Sequence, residues 1–243
     1  MLVNGTTRTF WVFRNRAWQL RASAHARNAA HIFVEGSAVT NDMYPHICEN
    51  VLARDDMLFV APQSLASRDW YLARDAPFIV ELVALLKREF HVDGTQLLLS
   101  GHSMGAWLVE GLVCAQPFPI LAAISYSNPW PGAAAAANAC KGHIPMLLVH
   151  GALDVKGGNA LYWNMRGYMQ SFRNWERVNG CNGTVFLEDL RKTVYIARDC
   201  TARAQMTVLD GQGHFIAQPQ LCSVVQPWID QLYASGSLHG SHP

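Results

Sequence analysis

The chain has 243 residues, of which 50% are hydrophobic and 15% charged, and its formal net charge is +1. That length suits one α/β unit with a large core, so neither a metal nor a disulfide is needed to fold it. A near-neutral chain without a basic stripe argues against a nucleic-acid or anionic-membrane partner, and no apolar run approaches the roughly 18 residues of a membrane span.

In chain order, "TRTFWVF" (7–13) is rich in aromatic and β-branched residues and reads as a strand. "AHIFVEG" (30–36), closed by Gly36, and "DMLFVAP" (56–62), closed by a proline, read as buried strands. Asp75 is expected to cap a helix running to about Phe90, with Pro77 in its first turn and Phe78, Leu82, Leu85, Leu86 and Phe90 on one face. "QLLLS" (96–100) is a strand and "MGAWLVEGLVCA" (104–115) a helix. "ILAAISYS" (120–127), "IPMLLVHG" (144–151) and "AQMTVLDG" (204–211) are further strands. The Ala-rich "PGAAAAANAC" (131–140) reads as a surface excursion. A last helix is expected within 219–234, broken near Pro227, followed by a frayed tail over 235–243. Apolar strands alternating with helices predict a mostly parallel sheet covered on both faces. No repeat or linker divides the chain, so residues 1–243 read as a single domain.

The junction of strand and helix reads "LLLSGHSMGAW" (97–107). Gly-x-Ser-x-Gly alone is a modest signal, because glycines punctuate many turns. A strand before it and a helix after it make it a candidate nucleophile turn. Gly101 and Gly105 would remove side chains that collide there. Ser103 would then project at the carboxyl end of the sheet, where open α/β folds bind ligands. The plain alternative is a helix-capping serine in a tight turn. A nucleophilic hydroxyl needs a base, and the base needs a carboxylate. Asp154 follows "PMLLVHGAL", 51 residues after Ser103, and His214 follows in the Gly-rich "LDGQGHF", 60 residues further on. Asp210 competes for the acid role but lies too near His214 in sequence to reach its far nitrogen. The backbone N–H of Met104 is the expected first oxyanion donor, and that of Ser37, or its neighbour Gly36, the second.

Several side chains are secondary candidates. His102 borders the nucleophile and is a candidate substrate contact. So are Trp130, in "SNPWPG", and Trp163, with Tyr126 and Tyr162 as further aromatics near strand ends. Trp107 reads as core and His150 as a hydrogen-bonded structural residue. The six cysteines form no C-x-x-C pair and no cysteine–histidine cluster with zinc spacing, so no metal or cofactor is expected. Cys114 reads as a buried free thiol. Cys181 and Cys200 flank a polar stretch where a disulfide would fit. "MLVNGTTRTF" carries no signal-peptide pattern, while the cysteine usage leans towards an oxidising compartment.

Together "REFHVDGTQLLLSGHSMGAW", "LLVHGALD", "WERVNGC" and "VLDGQGHF" resemble the polyhydroxybutyrate depolymerase and feruloyl esterase branch of the α/β-hydrolases, over about residues 7–234. The resemblance implies an α/β-hydrolase fold, a Ser103–Asp154–His214 triad and a Cys181–Cys200 disulfide. It also implies a secreted esterase, working through an acyl-serine on small or polymeric esters of hydroxyalkanoates or hydroxycinnamates. Two departures stand out. The early oxyanion strand ends in Glu35-Gly36 rather than His-Gly, and "VKGGNALYW" (155–163) lacks the usual Val-Pro. A carboxylate aimed into an oxyanion site would oppose developing negative charge. Two alternatives therefore stay open: another serine acyl hydrolase such as a peptidase or thioesterase, or a catalytically weak binding homologue.

Overall fold

The computed structural model describes residues 1–14, 28–36, 57–65, 69–129, 140–154 and 164–234. A short hairpin, β1 (Leu2–Val3) and β2 (Thr6–Thr7), precedes the main sheet. The described elements are then β3 (Phe10–Phe13), β4 (Asn28–Val34), β5 (Met57–Pro62), α1 (Leu72–Glu89), β6 (Val92–His102) and α2 (Met104–Ala115). They continue with β7 (Ala122–Tyr126), β8 (Met146–Gly151), α3 (Met165–Val178), β9 (Thr184–Asp189), β10 (Lys192–Ala197), β11 (Ala204–Leu209) and α4 (Gln218–Ala234). Among the described residues, nine strands form one sheet in the order β3-β5-β4-β6-β7-β8-β11-β10-β9. From β5 to β11 the neighbours are parallel, while β3 on one flank and β10 and β9 on the other are antiparallel.

Strand alternation distributes the core between the two faces. Ile32, Leu97, Leu99, Leu148 and Met206 face α1, α2 and α3, where Leu82, Leu112 and Trp175 pack on them. Phe33, Phe59, Leu98, Leu147 and Val149 face the other way, where Val225, Trp228 and Ile229 of α4 cover them. Apolar residues fill both faces because the parallel strands meet water on neither side.

The helix ends depart from expectation in physically readable ways. Asp75 is not the cap of α1. The helix starts at Leu72, and the Asp75 carboxylate reaches back to accept the Tyr71 N–H at 2.8 Å. The same buried carboxylate pairs with Arg8 at 2.8 Å and with Arg74 at 2.7 Å, and the Arg8 guanidinium lies 4.2 Å over the Phe78 ring. Pro77 consequently falls in the second turn. The final helix is not broken at Pro227. Pro227 lacks the N–H that would bond Ser223 O, and Ser223 is an exposed residue. Cys114 is not a free thiol. It ends α2 and bonds Cys140, where Lys141 N–H also donates to Cys114 O at 3.0 Å. An apolar helix face buried Cys114 as expected, but the returning chain brought it a partner. Trp107 is half exposed rather than core.

Sequence patterning alone left α3 and the β9–β10 hairpin unassigned. Here "WERVNGC" is a structural knot. Buried Asn179 donates to Ile144 O at 2.8 Å, Gly180 takes a left-handed φ of +62°, and Cys181 is disulfide-bonded to Cys200 at the base of the hairpin. Cys222 is also disulfide-bonded.

One core group sets a pH dependence. Glu110 on α2 is fully buried, and Ser125 Oγ on β7 donates to its Oε1 at 2.5 Å. Burial pushes this carboxyl up to about 8, and the hydrogen bond from Ser125 offsets only part of that rise. Between the ordinary value of 4.5 and about 8 the unfolded chain has lost a proton that the folded one keeps. Stability therefore falls as pH rises through that window. Glu110→Gln is expected to flatten the pH dependence of the urea midpoint between pH 5.5 and 8.5, a change of about 2 to 4 kcal/mol. An unchanged profile would show that the carboxyl is not held neutral.

Candidate active site

Three loops leave the carboxyl ends of β6, β8 and β11 and meet over the sheet. The first is the β6–α2 turn. Ser103 stands between strand and helix with φ 54° and ψ −120°, a left-handed conformation for a side-chain-bearing residue. Its N–H donates to Tyr126 O on β7 at 2.9 Å. The turn closes only because its flanks lack side chains. A Cβ on Gly101 would lie 2.5 Å from the Gly105 backbone, and one on Gly105 would overlap the carbonyl oxygens of Val34 and Glu35.

The second loop leaves β8 and carries Asp154, and the third leaves β11 and carries His214. Their backbones are joined, Leu153 N–H donating to Gln212 O at 2.8 Å and Ala152 N–H to Leu209 O at 2.9 Å. His214 Nδ1 lies 3.1 and 3.0 Å from the two Asp154 oxygens, and its Nε2 lies 3.0 Å from Ser103 Oγ. Burial alone would raise the Asp154 carboxyl. Hydrogen bonds from His214 and Tyr168 outweigh it and hold the group below its ordinary value, hence ionised. An ionised carboxylate only accepts, so Nδ1 donates to it and Nε2 is left to accept the serine proton. Ser103 and Asp154 are buried, and His214 is partly so.

Tyr168 on α3 was not singled out from sequence. Its hydroxyl donates to Asp154 Oδ2 at 2.5 Å, and its ring stacks 3.7 Å from His150. The stripe Met165, Tyr168, Phe172, Trp175 is the signal that could have found the helix. His150 is not hydrogen-bonded, since neither ring nitrogen has a partner, and burial pushes it down to about 3. Neutral and stacked, it fills space beside Tyr168. Tyr126 turns into the core against Phe33, 6.1 Å between ring centres, rather than towards a substrate.

Glu35 settles against the nucleophile turn. It is 3% exposed, and its Oε1 lies 3.5 Å from His102 Nδ1, an ion pair whenever His102 is protonated. His102 Nε2 in turn donates to His214 O at 2.9 Å. The same imidazole thus touches both the segment after β4 and the loop carrying His214. Gly36 packs on the same spot, since a Cβ there would lie 3.3 Å from Ser103 Cβ. Met104 is the first residue of α2, so its N–H has no acceptor within the helix. Ser37, Trp130, Tyr162 and Trp163 lie outside the described residues. The rim is apolar. Phe215 is 71% exposed with its ring centre 5.4 Å from that of His214, Leu153 is exposed beside Asp154, and Trp107 sits one helical turn after Ser103.

No protein-family model and no curated protein sequence matches the chain. Solved structures do. The esterase PE8 superposes with a TM-score of 0.68 at 16% identity, over 93% of this chain and 100% of that one. An acetyl xylan esterase from Aspergillus awamori gives 0.69 at 12% identity, over 95% of each chain. Est1E from Butyrivibrio proteoclasticus, also solved with ferulic acid bound, gives 0.65 at 11% identity, over 96% of this chain and 98% of that one. The chain has the α/β-hydrolase fold.

Proposed function

We propose that the protein is a serine carboxylic-ester hydrolase. The observation that carries the reading is the continuous contact from Ser103 Oγ through His214 to Asp154. In the proposed reaction Ser103 Oγ attacks the acyl carbon while His214 Nε2 takes its proton. The oxyanion forms at the Met104 N–H and at the backbone of residues 36–37. His214 then gives the proton to the departing alkoxide, and the alcohol leaves an acyl-serine. Water, deprotonated by the same nitrogen, attacks that ester and releases the acid and the free serine. The ionised Asp154 carboxylate stabilises the imidazolium formed in each half, with Tyr168 orienting it.

Glu35 was the reason to entertain an inert binding homologue, and its engagement with His102 supports the active reading instead. The apolar rim of Trp107, Leu153 and Phe215 supports esters with an apolar acyl or alcohol part, among them the hydroxycinnamate and hydroxyalkanoate classes. Est1E, solved with ferulic acid bound, is in keeping with that range. Disulfides at Cys114–Cys140 and Cys181–Cys200 support residence in an oxidising compartment. Residues 1–243 are proposed to work as one domain.

A fluorophosphonate probe is expected to add one covalent adduct, mapped by peptide mass to Ser103 and absent from Ser103→Ala. No adduct on the folded protein would refute the reading. Hydrolysis of p-nitrophenyl acetate, methyl ferulate and hydroxybutyrate oligomers then ranks the ester classes.

A further inference from the structure

On the face of the sheet covered by α4, away from Ser103, strands β10 and β11 and helix α4 enclose a pocket of about 220 Å³. Its lining is unlike the rest of that face. Gln205 and Thr207 point into it from β11, 8% and 0% exposed, whereas their register partners on β8, Leu147 and Val149, belong to the apolar core. Two polar side chains therefore interrupt a hydrophobic layer. Buried polar groups cost stability unless they are well bonded. Here the bonding is incomplete. Gln205 Nε2 reaches only Thr207 Oγ1, at 3.5 Å, the outer limit of a hydrogen bond. Trp228, which also lines the pocket, has its indole N–H buried without a partner.

At the same end of the pocket lies Arg203. Its two terminal nitrogens donate to Gln231 Oε1 at 2.5 Å and to Gln205 Oε1 at 2.6 Å. Both acceptors are neutral amides. Among the described residues no carboxylate pairs with Arg203, nor with Lys192 at the other end of the pocket. Burial alone moves the guanidinium, pulling it down from its ordinary value, and no neighbouring negative charge pulls it back. A partly buried cation without a counter-charge is an unfavourable arrangement that an anion would relieve. Donor capacity is left on the Arg203 fork, the Gln205 amide and the Trp228 indole, while the Ser223 carbonyl, freed by Pro227, is an acceptor on the α4 wall. Val194, Ile196, Val224 and Pro227 supply carbon walls between these polar groups.

We infer that this pocket binds a small organic carboxylate, its planar head on the Arg203 fork and its carbon body along the α4 wall. The planar, bidentate match of guanidinium to carboxylate favours this head group, and the carbon walls favour an organic body over an inorganic anion. The site shares no residue with the candidate active site, so the inference stands independently of the esterase reading.

The probe is benzoate, with benzamide as its neutral isostere and inorganic phosphate as the body-less anion, each added to the full chain. Benzoate is expected to move the Trp228 indole N–H resonance saturably in a ¹H–¹⁵N spectrum, whereas benzamide and phosphate bind at least tenfold more weakly. Arg203→Met is expected to weaken benzoate binding at least tenfold. Because that change could disturb packing, Gln231→Glu serves as the second variant. It is exposed, and it places a carboxylate on the guanidinium in the ligand's stead. It is expected to abolish benzoate binding while leaving the fold and p-nitrophenyl acetate hydrolysis unchanged. A still resonance at saturating benzoate, an equal response to benzamide, or wild-type binding by Gln231→Glu each overturns the inference.

Discussion

His214→Ala is expected to lower kcat for p-nitrophenyl acetate by about 10⁴- to 10⁶-fold with little change in KM. Among the described residues the side chain alone bridges Ser103 Oγ and Asp154, 3.0 Å from each. Without it the hydroxyl has no acceptor for its proton, and the buried Asp154 carboxylate keeps only Tyr168. Asp154→Asn should cost about 10⁴-fold, because an amide can donate to Nδ1 and so trap the wrong tautomer. Circular dichroism and the urea midpoint separate these losses from unfolding. A His214→Ala variant within tenfold of wild type would remove His214 from the proposed mechanism.

Gly105→Ala should be nearly as damaging, but through the backbone. Its Cβ would overlap the carbonyl oxygens of Val34, the last residue of the β4–β6 ladder, and of Glu35 beside it, so no side-chain rotation can make room. The turn must open, which moves Ser103 away from His214 and shifts the strand end carrying Gly36. We expect a loss of about 2 to 4 kcal/mol in stability. Hydrolysis should fall by at least 10²-fold, because a displacement of about 1 Å already costs that much. The urea midpoint and the rate should fall together. A variant with wild-type stability and rate would contradict the close approach.

The parallel centre of the sheet was legible because both signals it needs are local: continuous apolar runs, and turn residues between them. The same holds for the strand–Ser103–helix junction, where two glycines and an apolar run on each side leave little choice. Helix ends were less legible, because they depend on partners distant in sequence. Asp75 reads as a cap until Arg8, 67 residues away, is placed against it. Cys114 reads as a buried thiol until Cys140 returns to it. The antiparallel flank was missed for a different reason. β9 is largely exposed, so it shows little of the apolar pattern that marks a buried strand. Tyr168 could not be linked to Asp154 from sequence, since nothing local says which side of the sheet α3 covers. Glu35 looked hostile to the chemistry because the side chain it meets, His102, belongs to another strand.

The left-handed backbone at Ser103 carries one more consequence. Holding a residue with a Cβ at that φ costs about 1 to 3 kcal/mol, which glycine would not incur. Stability alone would therefore choose glycine at position 103, and the proposed role of the hydroxyl is what would keep serine there. A library of position-103 variants sorted for thermal resistance should drift towards the inert residue, whereas one sorted for turnover should return serine at a measurable cost in melting temperature. The two selections would diverge at this one codon, and the gap between their winners measures what the fold gives up to hold its serine in place.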